Sequence, residues 1–524
     1  MAHRRRRAGL LAVVAGLSAA TAAAGEGFRT DAPAMLAGLG GWSVEPVFTV
    51  GETIGDYTPP GVLDGIGAFA RADGTVRVLV NHELDRDAGA PYRLANGAEL
   101  TGARVSVFDL DSRSRRILGA GLAYARVVDR DGMAVAEAAQ IAGGLGWFCS
   151  AVGVARGTYG LVDDLFFAPE EAGPGRDAAG GTIWVLDVAE GALHAVPAIG
   201  RGAWENVAPV ETGRADRVAF LLGDDVAGAP LWLYVGDKAG AGDGGVLDRN
   251  GLARGTLYAW VPDSGTSTPA GLTAAGSELD GRFVAIPVRD AGGYLEAPAL
   301  RAEAYARGAY RFARPEDLAT DPRDGHRVAF AATGQGEPLD GRTDNWGTVY
   351  LVDVRFGAGD GDIAARLSVL FDGDSYDDPA VPGAPDPDFG LRSPDNLAWA
   401  NDGFLYLQED RATTPAGLFG KDSGREASIW RLDAATGAIA RVAEIDRAAV
   451  SPADAQDAKA GTIGAWESSG VLDVTPLFDT APGEVLLIAT VQAHGVRDGA
   501  IGGDSRLVAG GQLVLLSNRA ASAR

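Results

Sequence analysis

Six short segments each place an acid or a thiol directly before a small residue: Asp64-Gly65, Cys149-Ser150, Glu205-Asn206, Glu316-Asp317, Asp395-Asn396 and Glu467-Ser468. Carboxylates are hard oxygen ligands suited to calcium and similar ions, whereas a thiolate selects a softer or transition metal. Five carboxylates mixed with the single cysteine of the chain therefore predict more than one kind of bound metal. Gathered on one rim, these groups would raise each other's pKa and could not all ionise without cations among them. Turn closure is the plainer explanation, and it suits Asp64 and Asp395 better than the three glutamates. Three further acids, Glu83, Glu171 and Asp410, end neighbouring apolar segments and join the candidate ligands.

Arg314 stands two residues before Glu316, so on an extended strand both side chains would share a face. There it would act either as a counter-ion to the carboxylates or as a fork for two phosphate oxygens. The five histidines are too scattered for a histidine-based zinc site, and only His82 and His494 fall at the ends of candidate strands, as hydrogen-bonding supports. No Ser-His-Asp arrangement and no phosphate-cradling glycine loop is present, because the glycines fall at strand turns.

The elements that must position these groups repeat along the chain. Apolar strands ending in Asp or another polar residue recur as Arg104 to Asp111, Thr182 to Asp187, Thr256 to Asp263, Thr348 to Asp353, Ser428 to Asp433 and Gln512 to Ser517, about 80 residues apart. A second apolar strand precedes each one, and the acid- or thiol-bearing segment precedes that. This repetition predicts an all-β fold, a six-bladed β-propeller with long interblade loops, in which the innermost strands bring the ligand candidates to one channel. The period exceeds the usual ~40 to 50 residues per blade, so the Gly- and Asp-rich stretches Gly240 to Arg249, Asp360 to Asp362 and Asp372 to Phe389 are expected to be loops. With 75 glycines and 26 prolines, composition favours short strands and tight turns.

Arg4 to Arg7, the apolar run Gly9 to Leu17 and the small residues Ala19 to Ala24 have the three-part build of an export signal. We expect residues 1–24 to be that signal and residues 25–524 to form a single domain. The consecutive arginines permit the twin-arginine route, and the expected location is periplasmic or secreted. The run is short for a spanning helix, so stable membrane insertion is not expected. The formal net charge of −24 makes nucleic acid a poor partner, and it would repel anionic substrates unless cations sit in the site. One cysteine allows no intramolecular disulfide, and a monomer is expected.

Asn81-His82-Glu83, Phe148-Cys149-Ser150 followed by Glu170-Glu171, Trp204-Glu205-Asn206, Arg314-Pro315-Glu316, Ser393-Pro394-Asp395-Asn396-Leu397 and Glu467-Ser468-Ser469-Gly470 occur in series over about residues 60 to 495. Together they resemble the PhoX-type alkaline phosphatases. That resemblance implies a propeller holding ferric iron (Fe3+) and calcium (Ca2+), which hydrolyses small phosphate monoesters outside the cytoplasm. It implies iron ligation by Cys149, Glu205 and Glu316, phosphate orientation by Arg314, and calcium or shared ligation by Glu83, Glu171, Asp395 and Glu467. Two positions depart from the family pattern: Trp204 stands where histidine is usual, and Asp317 where glycine is usual. Two other readings remain open on the sequence, a calcium-dependent lactonase-like propeller and a non-catalytic propeller stabilised by metals.

Overall fold

The computed structural model describes residues 27–171, 180–238, 244–268, 272, 274–339, 342–359, 361–377, 386–411, 417–498, 501 and 506–518. The expected export signal, residues 1–24, lies outside the described residues.

The chain is mostly β, as expected. Long apolar runs such as Val218-Ala219-Phe220-Leu221-Leu222 are buried on both faces, because neighbouring sheets cover each other. Antiparallel order runs outward from the first strand of each set. The first such set is Leu63–Ala70, Thr75–His82, Arg104–Asp111 and Ile117–Leu122. The second starts at Val152–Val154, with Arg126–Val128 added in parallel at its outer edge. A nine-stranded sheet holds the next two sets, which start at Trp204–Val210 and Pro315–Thr320 and are joined where Glu278–Ile286 pairs with Ile363–Asp372. The fifth set starts at Pro394–Trp399 and the sixth at Glu467–Asp473. Each first strand contacts those of the sets before and after it, and the sixth returns to the first, closing a ring. The N-terminal strand Ser43–Thr49 completes the outer edge of the sixth set by pairing with Gly510–Asn518.

The repeat needs one correction. In the third set the strand paired with Arg217–Asp224 is Trp232–Asp237, and the segment at Thr256 to Asp263 belongs to the fourth strand, Gly255–Pro262. Both are apolar runs ending near an aspartate, so spacing alone chose the wrong one. The expected insertion at Gly240 to Arg249 does fall between the strands Trp232–Asp237 and Gly255–Pro262, but Val246–Arg249 within it is one helical turn, and the link between the third and fourth sets adds length not expected there, the ten-residue helix Ala297–Ala306.

A local device recurs where the first strands begin. Register shifts fall between Leu63 and Ile66, Trp204 and Val207, Pro315 and Leu318, and Pro394 and Leu397, so each bulge spans an acid and the small residue after it. A bulge bends the strand and re-aims its side chains. Two residues upstream of Asp64, Cys149, Glu316 and Asp395, the backbone is left-handed at Val62, Trp147, Arg314 and Ser393, with φ of 53°, 55°, 61° and 43°. Such non-glycine residues cost about 1–3 kcal/mol each and persist only where surrounding structure over-determines them. Gly65 shows the tightness of the ring: a Cβ there would lie 2.1 Å from Ala151 N, beside the Cys149 segment.

Ahead of Ser393-Pro394-Asp395, the buried Arg392 donates to both oxygens of Glu409 (3.0 and 2.7 Å) and to Asp388 (3.1 Å), under the ring of Phe419. Glu409 is fully buried. Arg392→Ala should therefore destabilise by about 3–5 kcal/mol, because it leaves that carboxylate without its cation; urea unfolding measures it, and a loss under about 1 kcal/mol would contradict the assignment.

Candidate metal centre

All of the acids and the thiol expected at the site, except Asp64, line one cavity of about 370 Å³ at the centre of the ring. Two positions per set supply them. The first strands bring Glu205, Glu316, Asp395 and Glu467, and Cys149 lies just ahead of the first strand of its set. The ends of the second strands bring Glu83, Glu171 and Asp410, together with Asp225, which the sequence reading left out.

One backbone rule places the second group. Glu83 N donates to Val62 O (2.9 Å), Glu171 N to Trp147 O (2.9 Å), Asp225 N to Ala203 O (2.8 Å) and Asp410 N to Ser393 O (3.1 Å). Each acid is thus tied to the residue two places before a first-strand ligand candidate. In the fourth set Thr333 holds the same position, its N–H donating to Arg314 O. Asp225 was recoverable from sequence, since it ends its strand as Glu83, Glu171 and Asp410 end theirs.

Cys149 is the hub. Its sulfur and one oxygen each of Asp64 and Glu83 all lie within 4.8 Å of one another, and so do its sulfur and oxygens of Glu171 and Glu205. Asp64 sits behind the cavity wall, accepting from Cys149 Sγ (3.3 Å), Gln492 Nε2 (2.8 Å) and Asn396 Nδ2 (3.4 Å).

Burial, followed by the nearby carboxylates, pushes Glu83, Glu205 and the Cys149 thiol well above their ordinary pKa values. Burial likewise raises Glu316 and Asp395 well above theirs, and with Glu467 nearby it takes Asp64 to about 8. Glu467 goes the other way: burial opposes its ionisation, but His494, at 3.7 Å, holds it below the usual range. Glu205 Oε1 and Asp395 Oδ1 are buried without a hydrogen-bond partner among the described residues. Carboxylate oxygens without a hydrogen-bond partner around a shared thiol are the donor set that a cation requires, so the residues fit metals.

Arg314 reaches the cavity by a different route from the expected one. Its backbone is left-handed, so strand alternation does not aim it. The guanidinium grips Asp225 through Nε and Nη2 (both 2.6 Å), and Nη2 lies 2.9 Å from Glu316 Oε1. One edge of the fork is therefore engaged by Asp225. His494 supports Glu467 as expected, whereas the His82 ring is buried between Gly61 O and Ser106 Oγ, its hydrogen bonds going to none of the site's acids, and burial lowers its pKa to about 3.

The small residues after the ligand candidates form a belt beneath the cavity. Asp317 accepts from Asn206 Nδ2, Ser150 Oγ (3.2 Å), Leu397 N (2.9 Å) and Leu318 N (2.6 Å). A second cavity of about 240 Å³, lined in part by Ser150, Asn206 and Asp317, opens on the other side. Trp204 lies in the core, edge-on to Trp232 (6.3 Å between centroids), and does not line the cavity.

The sequence profile of the alkaline phosphatase PhoX family matches residues 189–461, just over half of the chain. The chain belongs to the alkaline phosphatase PhoX family. Members of this PhoX family are metal-dependent phosphomonoesterases. Among solved structures, Pseudomonas fluorescens PhoX in complex with vanadate, a transition state analogue, superposes with a TM-score of 0.63 at 16% identity, over 94% of this chain and 97% of that one. The α-L-arabinofuranosidase Arb93A of Fusarium graminearum also aligns, over 90% of this chain and 97% of that one, at 10% identity and a TM-score of 0.35. None of the curated proteins matches this chain. No helix among the described residues is long and apolar enough to cross a membrane.

The raised carboxyls set a sign for pH dependence in chelated protein. Between the unfolded pKa near ~4 and the folded value of about 8 for Asp64, the folded state binds more protons, so stability falls as pH rises through that window. Thermal unfolding in excess chelator should show this fall, and added calcium should reverse it; a flat chelated profile would contradict the burial argument.

Proposed function

We propose that this chain is a six-bladed β-propeller phosphatase that hydrolyses phosphate monoesters at a cluster of ferric iron and calcium held in the central cavity. The observation that carries the reading is the Cys149 sulfur shared by two groups of carboxylates. A thiolate common to two ligand sets suits a transition metal there, with oxygen-rich positions around it for calcium. Cys149, Glu205 and Glu316 would hold the iron side, and Glu83, Glu171, Asp395, Asp410 and Glu467 the calcium side. Asp64 supports Cys149 from behind, and Asp225 adds a further oxygen donor. Membership of the PhoX family supports the chemistry, and so does the like fold of the Pseudomonas relative, a PhoX solved in complex with vanadate, a transition state analogue.

Bound metals would supply the positive charge that draws in the phosphate and activates the attacking water. The protein's own part is positioning. Asp225 fixes the Arg314 guanidinium, whose remaining N–H groups donate to the nonbridging phosphate oxygens. His494 keeps Glu467 ionised. The Asp317 belt closes the floor of the cavity against the second cavity, so water reaches the phosphate from the open mouth. We further propose that residues 1–24 direct export, by the twin-arginine route, and that the enzyme acts in the periplasm or outside the cell.

Purified protein reconstituted with iron and calcium should hydrolyse p-nitrophenyl phosphate. Cys149→Ala should lose iron on elemental analysis and activity with it; iron retained at full occupancy would overturn the ligand assignment. Arg314→Ala should keep its metals but lose about 100-fold or more in kcat/KM. Asp225→Asn, which loosens the same guanidinium, should lose about 10- to 100-fold, and wild-type turnover by either variant would remove the positioning role.

A further inference from the structure

Three cations that the metal reading does not use meet at the mouth of the same cavity: Arg411, Lys459 and Arg497. They come from separate segments. Arg411 follows Asp410 and donates through Nη1 to Ile463 O (3.3 Å). Lys459 lies in the link between the fifth and sixth sets, and Arg497 in the short strand Val496–Asp498, which pairs with Gln456–Asp457. That ladder fixes their backbones. Ala458 N donates to Gly495 O (2.8 Å), Lys459 N donates to Asp457 Oδ1 (2.9 Å), and Lys459 O accepts from Arg447 Nη2 (2.7 Å). The side chains of Lys459 and Arg497 remain exposed.

None of these three cations forms an ion pair among the described residues, although Arg314 and Arg447 nearby are each paired with a carboxylate. In a chain of net charge −24 with only three lysines, three cations at one mouth are a local concentration of positive charge. They face a cavity whose acids would repel any second anionic group on a substrate. Two guanidinium forks and one ammonium are suited to a phosphate group.

We infer that Arg411, Lys459 and Arg497 form a second phosphate subsite on the leaving-group side of the cavity, so that bisphosphorylated esters are preferred over monoesters with a neutral leaving group. The inference rests on the phosphatase reading above. The competing role, plain counter-ions for the carboxylates, would affect every substrate alike.

The test compares kcat/KM for fructose 1,6-bisphosphate and p-nitrophenyl phosphate in full-length, metal-loaded protein and in the double variant Lys459→Ala/Arg497→Ala. The ratio of the two values should fall by about tenfold or more in the double variant, the scale of one lost charged contact. In wild type it should also shrink with added salt. Equal losses on both substrates, or an unaltered ratio, would overturn the subsite. Lys459→Gln, which keeps the backbone bonds, should lower the ratio by about threefold and carries the test if the double variant does not fold; no change there would equally overturn the subsite. Wild-type protein that turns over neither substrate would instead defeat the phosphatase reading itself, a separate result.

Discussion

The structure depends on one electrostatic constraint: a single sulfur, Cys149, has carboxylates on two sides within 4.8 Å, so that burial and their mutual repulsion oppose their ionisation. Taking an ion out of water costs several kcal/mol even after relaxation, and like charges add to that cost. Such an arrangement is tolerable only if cations complete it or if the groups hold protons. The raised carboxyls of Asp64, Glu83, Glu205, Glu316 and Asp395 are the protonated answer, and metals, on which the PhoX family depends, are the other.

Much of the local geometry follows from the need to hold those groups close. Bulges at the starts of four first strands turn acids inward, while left-handed residues just upstream offer carbonyls to the backbone of the second-strand ends. In the first five sets the two positions are therefore coupled by hydrogen bonds that do not involve side chains. The side chains are free to vary, which is why one set carries Cys149 with Glu171, another Asp395 with Asp410, and the fourth Glu316 with Thr333. Conformational cost at the left-handed residues is met by the closely packed ring around them.

The same economy separates the two ends of the ring. The residues after the ligand candidates, Ser150, Asn206 and Asp317 among them, bond to one another rather than to the cavity. Asp317, a departure from the family pattern in sequence, is a fully engaged part of this partition, and Trp204, the other departure, is a core residue. Neither removes a polar group from the cavity wall.

The sequence by itself determined the all-β class, the repeat and nearly every group of the cavity, because strand alternation, turn residues and acid-plus-small pairs are local patterns that recur and can be counted. It missed Asp225, misassigned the third strand of the third set, and aimed Arg314 by a strand rule its backbone does not follow. Tertiary structure alone decided that Asp64 stands behind Cys149 instead of on the rim, that Asp225 holds the Arg314 fork, that His82 lies apart from the site while His494 belongs to it, and that Arg411, Lys459 and Arg497 share one mouth. These are distances between segments far apart in the chain, set by how the sheets pack around a closed ring, and no spacing along the sequence encodes them.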